Sequence, residues 1–303
     1  MSDLVEYLTA KRSVDDRALN RRVWDRFVSQ LEARASETDR PLRVVEVGAG
    51  VGSMVARLAD WEQLPGTVSY RAVDVEPACV AAARERVPEW LSAAGYTTAV
   101  RDDGTVIADH PTRDTRFEIG FETADARGIT DEADAVIAAA FFDIVDPDRL
   151  LTSVHDVLRR GGVLYAPCTF DGATHFSPAH PDDDRIETAY HRHMDEVREI
   201  PGSSRAARHL VERAPKHGYD VEAVGGGDWV VRPRAGTYPA EEAVFLEHLL
   251  ATIDEALADY PPAELDPSIR EEWGRTRRSQ LADGEFGLVA HHLDVLARFR
   301  ADT

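Results

Sequence analysis

Lysine is almost missing from this sequence. Two lysines, Lys11 and Lys216, stand among 35 basic residues, so arginine carries nearly all the positive charge. Cysteine is as scarce. Cys79 and Cys168 are the only two and lie far apart, which gives no disulfide framework. No apolar run reaches the roughly 20 residues that a membrane-spanning helix needs. The first dozen residues hold acids and lack the apolar core of a signal peptide. Together these absences argue against a stapled secreted fold and a membrane protein, and the expected location is the cytoplasm. A basic surface is also missing: the formal net charge is −20. Phosphate backbones need a basic face, so the charge argues against a nucleic-acid partner.

The most informative segment is Val44-Val45-Glu46-Val47-Gly48-Ala49-Gly50-Val51-Gly52-Ser53. Three valines supply a buried strand. Gly48, Gly50 and Gly52 then form a turn without side chains, which lets a ligand approach the backbone. The helix that follows offers free N–H groups and the positive end of its dipole. A dinucleotide fingerprint would space its glycines as G-x-G-x-x-G. Here the third glycine comes one residue early, and Glu46 stands two residues before the first.

Further strands follow. The stretch Tyr70 to Pro77 reads as a second strand ending in the acid Asp74, with Pro77 opening a helix. An acid at that position can accept hydrogen bonds from two ribose hydroxyls. The stretch 117–126 reads as a third strand leaving through Asp125-Ala126. The run 134–142 is continuously apolar after its opening Asp134, as a central parallel strand covered on both faces requires. A helix from Asp146-Pro147 to Arg160-Gly161-Gly162 leads to a fifth strand, 163–168.

The E-x-G-x-G-x-G turn, Asp74, Asp125-Ala126 and the strand–helix–RRGG–strand order resemble the class I S-adenosylmethionine (SAM) methyltransferases over residues 42–168. The resemblance implies an α/β fold. Its mostly parallel sheet would have seven strands and an antiparallel last strand, with helices on both faces, a helical cap and C-terminal helices. It implies SAM as cofactor, held by Glu46, Gly48, Ala49, Gly50, Gly52, Asp74, Val75, Asp125, Ala126 and Ala139, with Arg12 of an N-terminal cap meeting the cofactor carboxylate. The expected function is methyl transfer to an O, N or C nucleophile of a small molecule. Three alternatives stay open: an RNA or protein methyltransferase, a nicotinamide-dependent oxidoreductase, and a non-catalytic SAM-binding protein. The exit 138–143 lacks the Asn/Asp-Pro-Pro-Tyr sequence of amine methyltransferases acting on adenine or glutamine. It also lacks the second Pro-Cys of the RNA cytosine enzymes, which makes Cys168 a small packing residue rather than a nucleophile.

The expected organisation is a helical cap over 1–40, a core over 41–232 and a C-terminal helical extension over 233–303. The core carries a hairpin insertion at 96–114 and a second insertion at 171–200. The extension reads as two helices, 240–260 and 267–299. The second insertion concentrates His175, Tyr190, His191 and His193, the candidate catalytic groups, any of which could bind or deprotonate an acceptor. His191 and His193 are two apart and fall on different helix faces. These histidines and Asp182 to Asp184 match no zinc spacing, so no metal is expected. Many acids with scarce lysine also resemble proteins of a halophile, whose carboxylates keep the surface hydrated while salt screens their repulsion.

Overall fold

The computed structural model describes residues 3–61, 65–198 and 202–300. Two helices lead, α1 (Asp3–Ala18) and α2 (Arg21–Ser36). Asn20 separates them and caps α2, its side chain accepting from Val23 N at 3.2 Å. The strand–helix alternation then runs β1 (Leu42–Val47), α3 (Ser53–Asp60), β2 (Thr67–Asp74) and α4 (Pro77–Ala93). Next come the hairpin β3 (Thr97–Val100) and β4 (Val106–Asp109), then β5 (Arg116–Thr123), β6 (Ala133–Ile137), α5 (Pro147–Val157) and β7 (Leu158–Ser177). The chain continues with α6 (Asp183–Arg192), α7 (Ala206–Arg213), β8 (Tyr219–Gly226) and β9 (Trp229–Val231). It ends with α8 (Glu242–Ala258), α9 (Pro267–Ala282) and β10 (Gly287–Phe299).

The strands form one sheet in the order β3-β4-β5-β2-β1-β6-β7-β10-β8, with β9 on β10. The five strands from β5 to β7 are parallel. Their order reverses between β1 and β6, the kind of switch point where ligands bind beyond the carboxyl ends of the strands. The α/β class and the mostly parallel sheet match the expectation. The strand number does not: the described residues form ten strands rather than seven. The 96–114 hairpin pairs with β5 and extends the sheet.

The C-terminal region departs most from expectation. Residues 267–299 are not one helix. The chain breaks at Gly284, and β10 enters the sheet antiparallel between β7 and β8. Leu288, Ala290, Val295 and Leu296 are buried there, and the long β7 supplies the unpaired edge that captures them. The expected boundary at 232 therefore fails, because the sheet is completed from the far end of the chain. β8 runs parallel to β7, since each is antiparallel to β10. α1 packs against α8, β9, α4 and α3. α2 lies on the sheet, its Trp24, Phe27 and Leu31 packed with Tyr165. The first part of the expected 171–200 insertion is strand, because β7 continues to Ser177; residues 199–201 lie outside the described residues.

Three packed layers result. α2, α3 and α4 cover one face, and α5 and α7 cover the other through Leu150, Leu151, Val154 and Leu210. The second half of β7 and the first half of β10 pair with each other beyond the end of β6. There they form a lobe with α1, α6, α8 and α9 around Phe176, Trp229, Phe245 and Trp273.

Candidate active site

The glycine turn joins β1 to α3. Gly48, Gly50 and Gly52 all adopt positive φ, at 66°, 53° and 81°. Gly48 also carries the ring of Phe141 against its α-carbon, so a Cβ there would overlap that ring. Gly48→Ala is expected to cost about 1–3 kcal/mol of stability, from the left-handed backbone and the displaced ring. Urea melts check this. Adding Phe141→Ala should recover the steric part only. Wild-type stability for Gly48→Ala would show that the turn relaxes freely.

Asp74, at the end of β2, braces the turn. Its Oδ2 accepts from Gly50 N at 2.7 Å and its Oδ1 from Glu76 N at 2.9 Å. Each oxygen keeps a lone pair. Val75 beside it is 72% exposed, an apolar surface next to the acid. Asp125 caps a short turn at Ala126 and clamps the Arg127 guanidinium, which pulls its pKa down to about 2. Glu46 is buried, where it accepts from the Tyr70 hydroxyl at 2.7 Å, and burial pushes its pKa up to about 8.

The exits of the neighbouring strands are strained. Ala140, after β6, and Cys168, within β7, hold φ of 47° and 53°. Non-glycine residues in this region cluster at functional sites. Ala140 N donates to Pro167 O at 2.9 Å, which joins the two kinks, while Ala139 lies half-buried beside them. Cys168 N donates to Asp294 of β10 at 2.9 Å. The thiol is buried and its pKa raised by that burial, which does not suit a nucleophile.

Arg12 does not reach this edge. It pairs with Asp60 and lies 4.7 Å over the Trp90 ring, on the side of α1 that faces α3 and α4. Two other cations are buried near the strand exits. Lys11 pairs with Asp15 at 3.2 Å and lies 5.0 Å over the Trp229 ring. Burial opposes its charge, but Asp15, Tyr7, Cys168 and Asp143 outweigh it and raise the pKa. Arg57 donates to Asp16 at 2.6 Å, while its Nη2 is buried with no hydrogen-bond partner among the described residues. The sequence placed Lys11 in a charged cap segment. Nothing in the order of residues marks Arg57 as different from a surface helix arginine.

A cavity of about 460 Å³ opens beyond the same edge, in the lobe. Asp143 and Ile144 line it, two and three residues past Phe141. Tyr7, Phe170, Tyr190, Trp229 and His292 form much of its wall. Of the four candidate catalytic residues, only Tyr190 lines this cavity. His191 sits behind it, its ring 5.4 Å from that of Phe170 and its Nε2 3.4 Å from Thr174 Oγ1; burial lowers its pKa. His193 turns away to Asp259, at 2.9 Å. His175 is exposed on β7. The sequence reading missed Tyr7, Trp229 and His292, which reach the cavity from three distant elements. Burial drives the His292 pKa down to about 3, so this imidazole is neutral.

Residues 45–166 match the family model described as a methyltransferase domain. This region is a methyltransferase domain. The match decides against the nicotinamide alternative. No curated protein sequence matches the chain. Several solved structures align with this chain at low sequence identity. A Bacillus halodurans protein described as a methyltransferase is 12% identical, with 90% of this chain and 99% of that one aligned and a TM-score of 0.48. A SAM-dependent methyltransferase of Geobacter sulfurreducens, in complex with S-adenosylhomocysteine, is 15% identical over 89% and 90% of the two chains, TM-score 0.41. Phosphoethanolamine N-methyltransferase 2 of Haemonchus contortus, in complex with SAM, is 16% identical over 92% and 53%, TM-score 0.40. No helix among the described residues is long and apolar enough to cross a membrane. They also contain no cluster of three metal-ligating side chains.

Proposed function

We propose that this enzyme transfers the methyl group of SAM to a small molecule seated in the lobe cavity. One observation carries the reading: the cavity wall begins at Asp143, two residues from the Phe141 ring that lies on the Gly48 turn. Donor turn and acceptor space are thereby adjacent. A volume of about 460 Å³ falls within the ~300–1,000 Å³ of small-molecule pockets.

The residues fit the cofactor. Backbone groups of Gly48, Ala49, Gly50 and Gly52 would line its path, and the spare lone pairs of Asp74 would take the ribose hydroxyls. Val75 would support the adenine, and Asp125 with the Ala126 amide would take its polar edge. Glu46, at the end of β1, would offer the amine a hydrogen-bond acceptor. The unpartnered Nη2 makes Arg57 a better holder of the carboxylate than Arg12. When bound, SAM supplies an electrophilic methyl group. The chain supplies alignment and a dry cavity, which account for most of the acceleration in such transfers.

Calorimetry tests the reading. SAM and S-adenosylhomocysteine are expected to bind at low micromolar Kd or tighter, about −8 kcal/mol. Heat with NADH and none with either of these ligands would overturn it. The acidic composition adds a second expectation, which belongs to the halophile reading. The melting temperature should rise as potassium chloride approaches molar levels, because salt screens the self-repulsion of a −20 chain. A flat or falling curve removes that reading.

A further inference from the structure

We infer that the acceptor is an amine on an apolar or aromatic group, with its nitrogen at Asp143 between the rings of Tyr7, Tyr190 and Trp229. The inference rests on the methyl-transfer reading of the same cavity.

Three observations carry it. First, Asp143 lines the cavity, and its Oδ1 is buried with no hydrogen-bond partner among the described residues. A buried, unsatisfied carboxylate oxygen is costly unless a ligand completes it. Second, the wall around it is aromatic, through Tyr7, Phe170, Tyr190 and Trp229. Ring faces attract a cation and seat apolar groups, whereas they offer nothing to an anion. Third, the charges facing the cavity favour a cation. Asp3 and Glu255 stand exposed at its rim. His292 is neutral, and His248 faces Glu6 at 3.5 Å. Among the described residues, Arg198 is the one arginine or lysine in the lining; it donates to the main-chain oxygen of Asp143, and its Nε is buried without a partner. Lys11, behind the wall, pairs with Asp15 at 3.2 Å and also faces Asp143, so part of its charge is already taken up by Asp15.

The chemistry balances. An ammonium cannot attack, so its proton must leave first. Burial raises the Asp143 pKa, which suits the carboxylate to take that proton. The freed nitrogen lone pair then forms the N–C bond as the donor's S–C bond breaks, and the bonding pair stays on sulfur. The products are a methylated ammonium and a neutral thioether.

Calorimetry with benzylamine, benzyl alcohol and benzoate, near pH 7.5, separates the possibilities. Each is titrated into the full chain without cofactor and again with S-adenosylhomocysteine. Benzylamine is expected to bind at least tenfold tighter than either analogue. Asp143→Asn should weaken benzylamine about 10- to 100-fold and leave benzyl alcohol within about twofold. Tyr190→Leu, which leaves the acid in place, should weaken benzylamine several-fold. Benzoate or benzyl alcohol binding as well as benzylamine overturns the inference, as does no binding by any of the three. The cofactor titration speaks to the other reading. Heat with S-adenosylhomocysteine but no amine preference leaves methyl transfer standing and removes the amine. No heat with S-adenosylhomocysteine removes methyl transfer and the acceptor role with it, while the cofactor-free titrations still decide whether the cavity seats an amine at Asp143.

Discussion

Asp74→Ala is expected to weaken SAM binding by about 2–4 kcal/mol, the cost of removing a charged acceptor from two ribose hydroxyls. The structure gives a reason for the upper half of that range. The same carboxylate accepts from Gly50 N and Glu76 N, so its loss also loosens the turn that the cofactor would follow. Asp74→Asn keeps one acceptor oxygen and should fall between wild type and alanine. Glu76→Ala should barely change affinity, because Glu76 caps α4 through Ala78 N at 3.3 Å. Its cost, about 1 kcal/mol, belongs to stability. Calorimetry on the three variants gives the ranking. Equal losses for Asp74→Ala and Glu76→Ala would mean that the second-strand acid is not the ribose acceptor.

Glu46→Gln should make the protein more stable at alkaline pH by a few kcal/mol, while weakening its hold on the cofactor amine. The sign follows from linkage. Burial raises the Glu46 pKa from 4.5 to about 8. Between those values the folded chain holds a proton that the unfolded chain has released. Stability is therefore highest below about pH 4.5 in this respect and is lost as pH rises through about 8. One pKa unit corresponds to about 1.4 kcal/mol. Glutamine keeps an oxygen for the Tyr70 hydroxyl and carries no charge to bury. Denaturant melts at pH 5 and pH 8.5 should show a small difference between variant and wild type at the first and a large one at the second. A constant difference across that range would show that Glu46 titrates normally. A gain in stability with a loss of affinity is the usual exchange at a binding site.

The domain was legible because its signals are local. A turn with three glycines needs those residues in consecutive order, and the acids at Asp74 and Asp125 follow their strands directly. Short-range patterning therefore determined the α/β class, the places of β1, β2, β5 and β6 in the chain, and the edge where the cofactor would lie. What the tertiary structure alone decided depends on partners far away in the chain. β10 has neither a strict alternation nor a neighbouring hairpin, and it becomes a strand because β7 leaves an edge that its buried residues complete. His292 owes its place to that pairing. Arg12 and Arg57 look alike as helix arginines, yet packing of α1 onto α3 turns one toward Asp60 and Trp90 and buries the other beside Asp16. The cavity is the extreme case. Tyr7, Asp143, Tyr190, Trp229 and His292 come from five separate stretches, and no spacing rule connects them. Local sequence determines which strands and turns form, because those choices depend on backbone preference and neighbouring residues. A site assembled across the sheet and the lobe appears only once long-range burial has brought its parts together.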